Sequence, residues 1–252
     1  MTQVIPKVVH YCWFGGKQKP DDVESYIANW KAVLPDYEIR EWNESNFDVS
    51  AWPYAQQALG AGKFAFVSDV ARLYALYTHG GIYLDTDVEV RRSFDDLLDG
   101  GTVLGFEEGN YVATSTILAE RGDALIGDFL DTYRSRSFLD SEGNADTTTN
   151  VDVLTSMLRD AGLKLDGSPQ LIQWKGHQVR VLDRVKLSPI DYPNGINHAD
   201  ETTYAIHHFG QSWADRRTKA KAALRRALIG TVGGENVKRL RQLITRLVAR
   251  NA

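Results

Sequence analysis

The chain has 252 residues, 43% of them hydrophobic and 25% charged, which suits one large domain or a core domain with an appendage and excludes a disordered polymer. Its single cysteine, Cys12, excludes an internal disulfide and a cysteine-rich zinc module. The net charge of −4 is unevenly spread: eleven Lys and Arg residues between Arg216 and Arg250 face only Glu235, a local +10 that leaves −14 on the rest of the chain.

In chain order, VIPKVVHYCWF reads as a buried strand ending at the Gly15-Gly16 turn. Pro20 precedes a helix over Asp21 to Leu34, with Val23, Ile27, Trp30 and Leu34 on one face. Tyr37 to Trp42 reads as a strand and Ala51 to Leu59 as a short helix. A longer helix over Lys63 to Thr78 is closed by Gly80-Gly81. The apolar strand Ile82 to Leu84 then runs into Asp85-Thr86-Asp87. Thr102 to Phe106 and Val112 to Leu118 read as strands, Ala124 to Arg134 and Val151 to Ala161 as helices. Between those helices, the polar stretch Ser137 to Asn150 reads as a mobile loop. Val179 to Leu182 and Thr203 to Phe209 are late strands. Arg216 to Arg226 and Val237 to Arg250 read as two basic helices; the second carries Val237, Leu240, Leu243, Ile244, Leu247 and Val248 at helical spacing. The alternation predicts an α/β domain with a mainly parallel sheet over residues 1–214 and a basic amphipathic tail over 215–252. No apolar run reaches the roughly 18 residues of a membrane span, and the N-terminus lacks a secretory pattern, so the expected location is cytoplasmic.

The chemistry concentrates between residues 68 and 87. Residues two apart in an extended backbone point the same way, so Asp85 and Asp87 would present two carboxylates at a strand end. Such a pair can hold a hard divalent ion, Mg2+ or Mn2+, which would neutralise a departing diphosphate. The alternative for an isolated Asp-x-Asp is a solvated turn. Asp69 and Arg72 share a face of the preceding helix. Phe66, Val67, Val70, Leu73, Tyr74, Leu76 and Tyr77 leave little of that helix exposed, and a charge pair buried there is costly unless partnered.

The stretch SDVARLYALYTHGGIYLDTDV resembles the signature of glycosyltransferases with a DXD sugar-binding region, glycosyltransferase family 32-like proteins. These include yeast initiating α-mannosyltransferases, bacterial capsule and lipopolysaccharide transferases, and the glucosylating domains of clostridial toxins. VVHYCWFGG and IHHFGQSW extend the resemblance, which weakens between about residues 110 and 200. It implies a GT-A type, Rossmann-like domain and a metal-dependent, retaining hexosyltransferase acting on a nucleotide-diphospho-sugar.

The resemblance further implies that Trp13 stacks on the base, that Ser68, Asp69, Arg72 and Tyr83 meet the donor, and that Asp85 meets ribose or sugar hydroxyls. Asp87 would be the direct metal ligand, with Asp85 beside it. A His near the C-terminal strand would add a ligand, with Ser212 and Trp213 near the diphosphate. Alternation lets one of His207 and His208 face the metal; His208 is favoured, and a shifted loop would present His207. Asn150 and Asp152 would either cap a helix or line the site, and Glu107 and Glu108 would either meet acceptor hydroxyls or sit on the surface.

The expected partners are a UDP-sugar, a glycan or lipid-linked glycan acceptor, and an anionic membrane surface for the tail; no nucleic acid is expected. That places the protein on the inner face of the plasma membrane, in surface polysaccharide synthesis. A glycoside hydrolase or a non-catalytic sugar-binding module is the alternative.

Overall fold

A computed structural model describes residues 4–210, 229 and 231–239. Ser212, Trp213, the predicted helix from Arg216 to Arg226 and the predicted helix beyond Arg239 lie outside the described residues.

Strand β1 (Val8–Cys12) leads to helix α1 (Asp21–Val33) and strand β2 (Glu38–Trp42). Helices α2 (Pro53–Gly60) and α3 (Phe64–His79) precede β3 (Gly81–Leu84) and the short β4 (Val88–Val90). Then come β5 (Thr102–Gly105), β6 (Thr116–Ala119), α4 (Ala124–Thr132) and α5 (Asn150–Asp160). Strands β7 (Gln170–Trp174) and β8 (His177–Leu182), the one-turn α6 (Arg184–Leu187), the hairpin β9 (Ile190–Asp191) and β10 (Ile196–Asn197), and β11 (Ala205–His207) complete the order.

Seven strands form one mixed sheet in the order β2-β1-β3-β6-β5-β8-β7. Parallel pairs join β1 to β2, β1 to β3 and β5 to β8, while β6 and β7 run against the other five. The predicted α/β class with a mainly parallel sheet is the one observed. Alternation along each strand feeds two cores, one per face. On β3, Ile82 and Leu84 join Val9, Trp30 and Leu118 on the α1 side. Tyr83 points the other way, among Val67, Val70, Leu73 and Ile117 on the α3 side.

The α3–β3 junction places the acidic turn. Gly80 ends α3 at φ 65°, with its N–H on the Leu76 carbonyl at 2.7 Å. A Cβ at Gly81 (φ 115°) would lie 2.5 Å from the Val8 carbonyl, so only glycine lets β3 lie this close to β1. Buried His10 locks the junction: Nε2 bonds the Gly80 carbonyl at 2.8 Å, and Nδ1 accepts from Trp42 Nε1 at 3.1 Å. Burial pushes this imidazole down to about 4, keeping it neutral.

Three expectations change. The strand predicted over Thr203 to Phe209 is β11, which leaves the main sheet and pairs antiparallel with β4. It and β4 span three residues each, too short for a period-2 pattern to single out. Strand β7 went unread, because its alternation of half-buried and exposed side chains gives an edge strand no apolar run. The stretch Ser137 to Asn150 is tied to the body: Arg136 grips Asp146 at 2.7 Å, Leu139 N–H donates to Gln57 Oε1 at 3.0 Å, and Phe138 is buried.

At the other end, the described C-terminal residues lie against the β9–β10 hairpin. A Cβ at Gly195 would sit 2.8 Å from the Ile229 side chain, and one at Gly234 would sit 2.7 Å from the Asn194 carbonyl. Val237 is buried.

Candidate active site

The two acids of Asp85-Thr86-Asp87 do not lie on an extended segment. The Val88 N–H reaches back to the Asp85 carbonyl at 3.1 Å, so the chain turns between them. Asp85 keeps the face of Tyr83, whose hydroxyl donates to Asp85 Oδ1 at 2.9 Å. The turn swings Asp87 toward β11. The two still converge, because β11 closes the turn from the far side.

Asp85 belongs to a buried network built by α3 and the start of β6. Arg72 is its hub. Its Nη2 lies 3.0 Å from Asp69 Oδ1 and 3.3 Å from Asp85 Oδ1. Its Nη1 donates to the Thr114 carbonyl at 2.8 Å and its Nε to the Ser68 carbonyl at 3.3 Å, and its guanidinium lies 4.5 Å from the Tyr83 ring centroid. With every nitrogen engaged, Arg72 organises the carboxylates of Asp69 and Asp85. Burial disfavours its charge, and Asp85, Tyr83 and Asp69 outweigh that, holding it protonated. Burial pushes the Asp69 carboxyl up to about 6 against the pull of Arg72.

Asn150 completes this half. Its Nδ2 donates to Asp69 Oδ1 at 2.7 Å and its Oδ1 accepts from Thr114 Oγ1 at 3.0 Å. Asn150 thus faces the site, while Asp152 stays at the helix cap, bonded to Thr149. Ser68 spends its hydroxyl on the Phe64 carbonyl at 3.1 Å, one turn back along α3.

Asp87 belongs to the β4–β11 ribbon. Its Oδ2 accepts the Gly210 N–H at 2.6 Å, its carbonyl accepts the His208 N–H at 3.0 Å, and its Oδ1 lies 3.4 Å from His207 Nε2. Burial raises the Asp87 carboxyl, but His207 and the Gly210 N–H more than offset it and leave it low. Burial disfavours the charged His207 imidazole, and Asp87, Asp85 and Glu107 reverse the balance and raise it.

The favoured histidine is corrected here. Strand alternation turns His208 away, onto Glu89 Oε2 at 3.0 Å and the Tyr26 ring at 5.3 Å. Ligand atoms of Asp85, Asp87 and His207 all lie within 4.8 Å of one another. Two carboxylates and one imidazole form an oxygen-rich donor set suited to Mn2+ or Mg2+, with imidazole favouring Mn2+. His207 Nδ1 is buried and has no hydrogen-bond partner among the described residues.

Two further acids border this cluster. Glu107, half-buried at the end of β5, feels His207 and Asp85, and burial raises its carboxyl. Glu108 turns outward into an ion pair with Arg184 at 2.7 Å. Thr114 and Gly210 escaped the sequence reading. A lone Thr and a Gly after aromatic residues carry no spacing signal; Gly210 acts through its backbone N–H, and Thr114 through its carbonyl as well as its hydroxyl.

Trp13 stands apart from this cluster, after β1. It is half-buried, and its Nε1 donates to the Lys17 carbonyl at 2.7 Å. Together with Gly16, Lys17, Lys19, Glu41, Asn43, Glu44 and Ser45 it lines an open polar cleft.

Residues 20–104 match the family described as "Glycosyltransferase sugar-binding region containing DXD motif". Inositol phosphoceramide mannosyltransferase 3 of Schizosaccharomyces pombe is 31% identical over 105 residues, covering 38% of this chain and 28% of that protein. Glucan organizing enzyme 1 of Cryptococcus neoformans var. grubii is 54% identical over 44 residues, covering 18% of this chain and 12% of that protein. The chain thus spans less than a third of the length of these curated relatives. Among solved structures, the PaToxG glycosyltransferase superposes with a TM-score of 0.53 at 21% identity, covering 63% of this chain and 70% of that one. That likeness is one of fold, the α/β architecture of GT-A type.

Proposed function

We propose, from the premise that residues 20–104 form a glycosyltransferase sugar-binding region containing the DXD motif, that this protein is a divalent-metal-dependent glycosyltransferase. It moves a sugar from a nucleotide-diphospho-sugar, by preference a UDP-sugar, to a glycan acceptor. The observation that carries this reading is the convergence of Asp85, Asp87 and His207 within 4.8 Å beside the buried Asp69–Arg72 pair. A glycoside hydrolase places its two carboxyls roughly 5–10 Å apart across a sugar ring. Here the two acids of the turn approach within ligand-sharing distance, which favours a common cation.

Asp85, Asp87 and His207 would hold Mn2+ or Mg2+, which supplies charge neutralisation for a departing diphosphate. Asp69 uses Oδ1 for Arg72 and Asn150, so its other oxygen is the atom offered to a sugar hydroxyl. Arg72 fixes both carboxylates. Trp13 offers its face to the base in the cleft beside Lys17 and Asn43. Transfer follows the retaining course that the resemblance implies. The acceptor oxygen bonds to the anomeric carbon on the face that the diphosphate leaves, the carbon–phosphate-oxygen bond breaks, and the hydroxyl proton passes to the departing phosphate. Glu107, close enough to feel His207 and Asp85, would meet an acceptor hydroxyl.

The excess of Lys and Arg from Arg216 to Arg250 supports a lipid-linked acceptor at an anionic membrane surface, since each such residue near that surface adds about 1 kcal/mol. The donor reading is tested by incubating the protein with UDP- and GDP-sugars plus Mn2+ and measuring nucleoside diphosphate release. Release from a UDP-sugar, lost with EDTA, is expected. No release from any donor with either Mn2+ or Mg2+ would overturn the reading.

A further inference from the structure

Metal-binding histidines ordinarily hold their second ring nitrogen in a hydrogen bond that fixes the imidazole's orientation. Among the described residues His207 lacks that device, because none of them bonds its buried Nδ1. An aromatic stack stands in its place. The Phe209 ring lies 4.0 Å from the His207 ring, centroid to centroid, at 35°. The Tyr192 ring lies 4.8 Å behind Phe209 at 32°. We propose that Phe209, backed by Tyr192, is the positioning residue that holds His207 against Asp87 for the divalent cation. This rests on the metal-dependent reading above and adds to it a clamp outside the ligand set.

The backbone supports the assignment. Phe209 adopts φ 51°, a left-handed conformation that side chains with a Cβ disfavour. The same turn lays the Gly210 N–H on Asp87 Oδ2 at 2.6 Å. Even Gly210 fits closely: a Cβ there would lie 3.3 Å from Asp87 Cβ. The chain therefore accepts an unfavourable φ at Phe209 and gains two contacts at the site, a ring on His207 and an N–H on Asp87. Strain that persists beside a functional group is expected where the surroundings over-determine it.

The base of the clamp is also fixed. Tyr192 sits in the β9–β10 turn, where Asn194 Nδ2 bonds both Asp191 oxygens at 2.9 Å. Ile229 and Gly234 press on that turn from the C-terminal segment.

Three variants separate positioning from bulk stability, with Mn2+ titrated into the UDP-saturated full chain by calorimetry and melting temperature recorded in parallel. Phe209→Gly removes the ring yet accepts φ 51° freely. It is expected to weaken Mn2+ binding by about tenfold or more with little change in melting temperature. The ring-retaining Phe209→Tyr is expected to bind Mn2+ within about twofold of wild type, and Tyr192→Leu to fall between. Wild-type Mn2+ affinity in Phe209→Gly would overturn the proposal. Should Phe209→Gly fail to fold, Tyr192→Leu decides, and unchanged Mn2+ binding there overturns it. A wild-type protein that binds UDP but no Mn2+ would overturn the metal-dependent reading itself, and the clamp with it.

Discussion

Asp85 and Asp87 are two residues apart, yet they answer to different parts of the chain. Asp85 is held by Arg72 and Tyr83, from the helix and strand that precede it, in a network that Thr114 and Asn150 complete. Asp87 is held by His207 and Gly210, more than a hundred residues away. The first half is buried and stapled, so it should resist the loss of a ligand and fail when its hub is removed. The second half is a ribbon of two three-residue strands and a strained turn. It should tolerate substitution structurally and lose chemistry. The acidic turn therefore joins a buried, stapled half carrying Asp85 to a more independent half carrying Asp87 and His207.

Arg72→Leu should break the rigid half. It strands the Asp69 and Asp85 carboxylates, and removing one partner of a buried pair costs about 3–5 kcal/mol. Urea denaturation should show that loss; a variant of unchanged stability would mean the hub is dispensable. Asp87→Asn should spare the fold and cut turnover by about a hundredfold or more, because it removes a ligand charge without leaving a buried cation of comparable cost. Full Mn2+-dependent turnover in that variant would deny Asp87 its role.

Trp13→Ala extends the comparison to a third region. It should weaken UDP binding by about 1–3 kcal/mol, the scale of base–aromatic stacking. Unchanged UDP affinity with a collapse in melting temperature would make Trp13 a packing residue.

A further effect is one of pH, at the α3–β3 junction. His10 titrates at about 4 in the fold against an ordinary value of 6.5. Between those values the unfolded chain binds a proton that the folded chain refuses, so stability falls as pH falls. The contribution is complete above about pH 6.5 and lost on acidification toward pH 4. His10→Gln should flatten this component of the stability–pH curve, and an unchanged slope would assign it elsewhere.

The contrast also explains what was legible in the sequence. Helix α3, the Gly80-Gly81 stop, β3 and the acidic pair fall within one continuous stretch, where periodicity, breakers and charge lie in register. Asp69 and Arg72 were recognisable because charges on an apolar helix need partners. What Arg72 does was not, because its partners include two backbone carbonyls. The Asp87–His207 half depended on a pairing of β4 with β11 that spacing does not encode. Which histidine faces Asp87 turns on one step of strand alternation, decided where β11 registers with Val88. Asn150 looked like a helix cap from its neighbours, and its role emerges where α5 meets α3.

The central claim is that the ribbon presents His207, and not His208, to a catalytic cation beside Asp87. Measuring UDP release from a UDP-sugar as a function of Mn2+ concentration in His207→Ala and His208→Ala tests it directly. The account predicts that His207→Ala raises the Mn2+ concentration for half-maximal rate by about tenfold or more, the scale of a lost metal-site contact, while His208→Ala stays near wild type. A raised Mn2+ requirement in His208→Ala with a normal one in His207→Ala would contradict it.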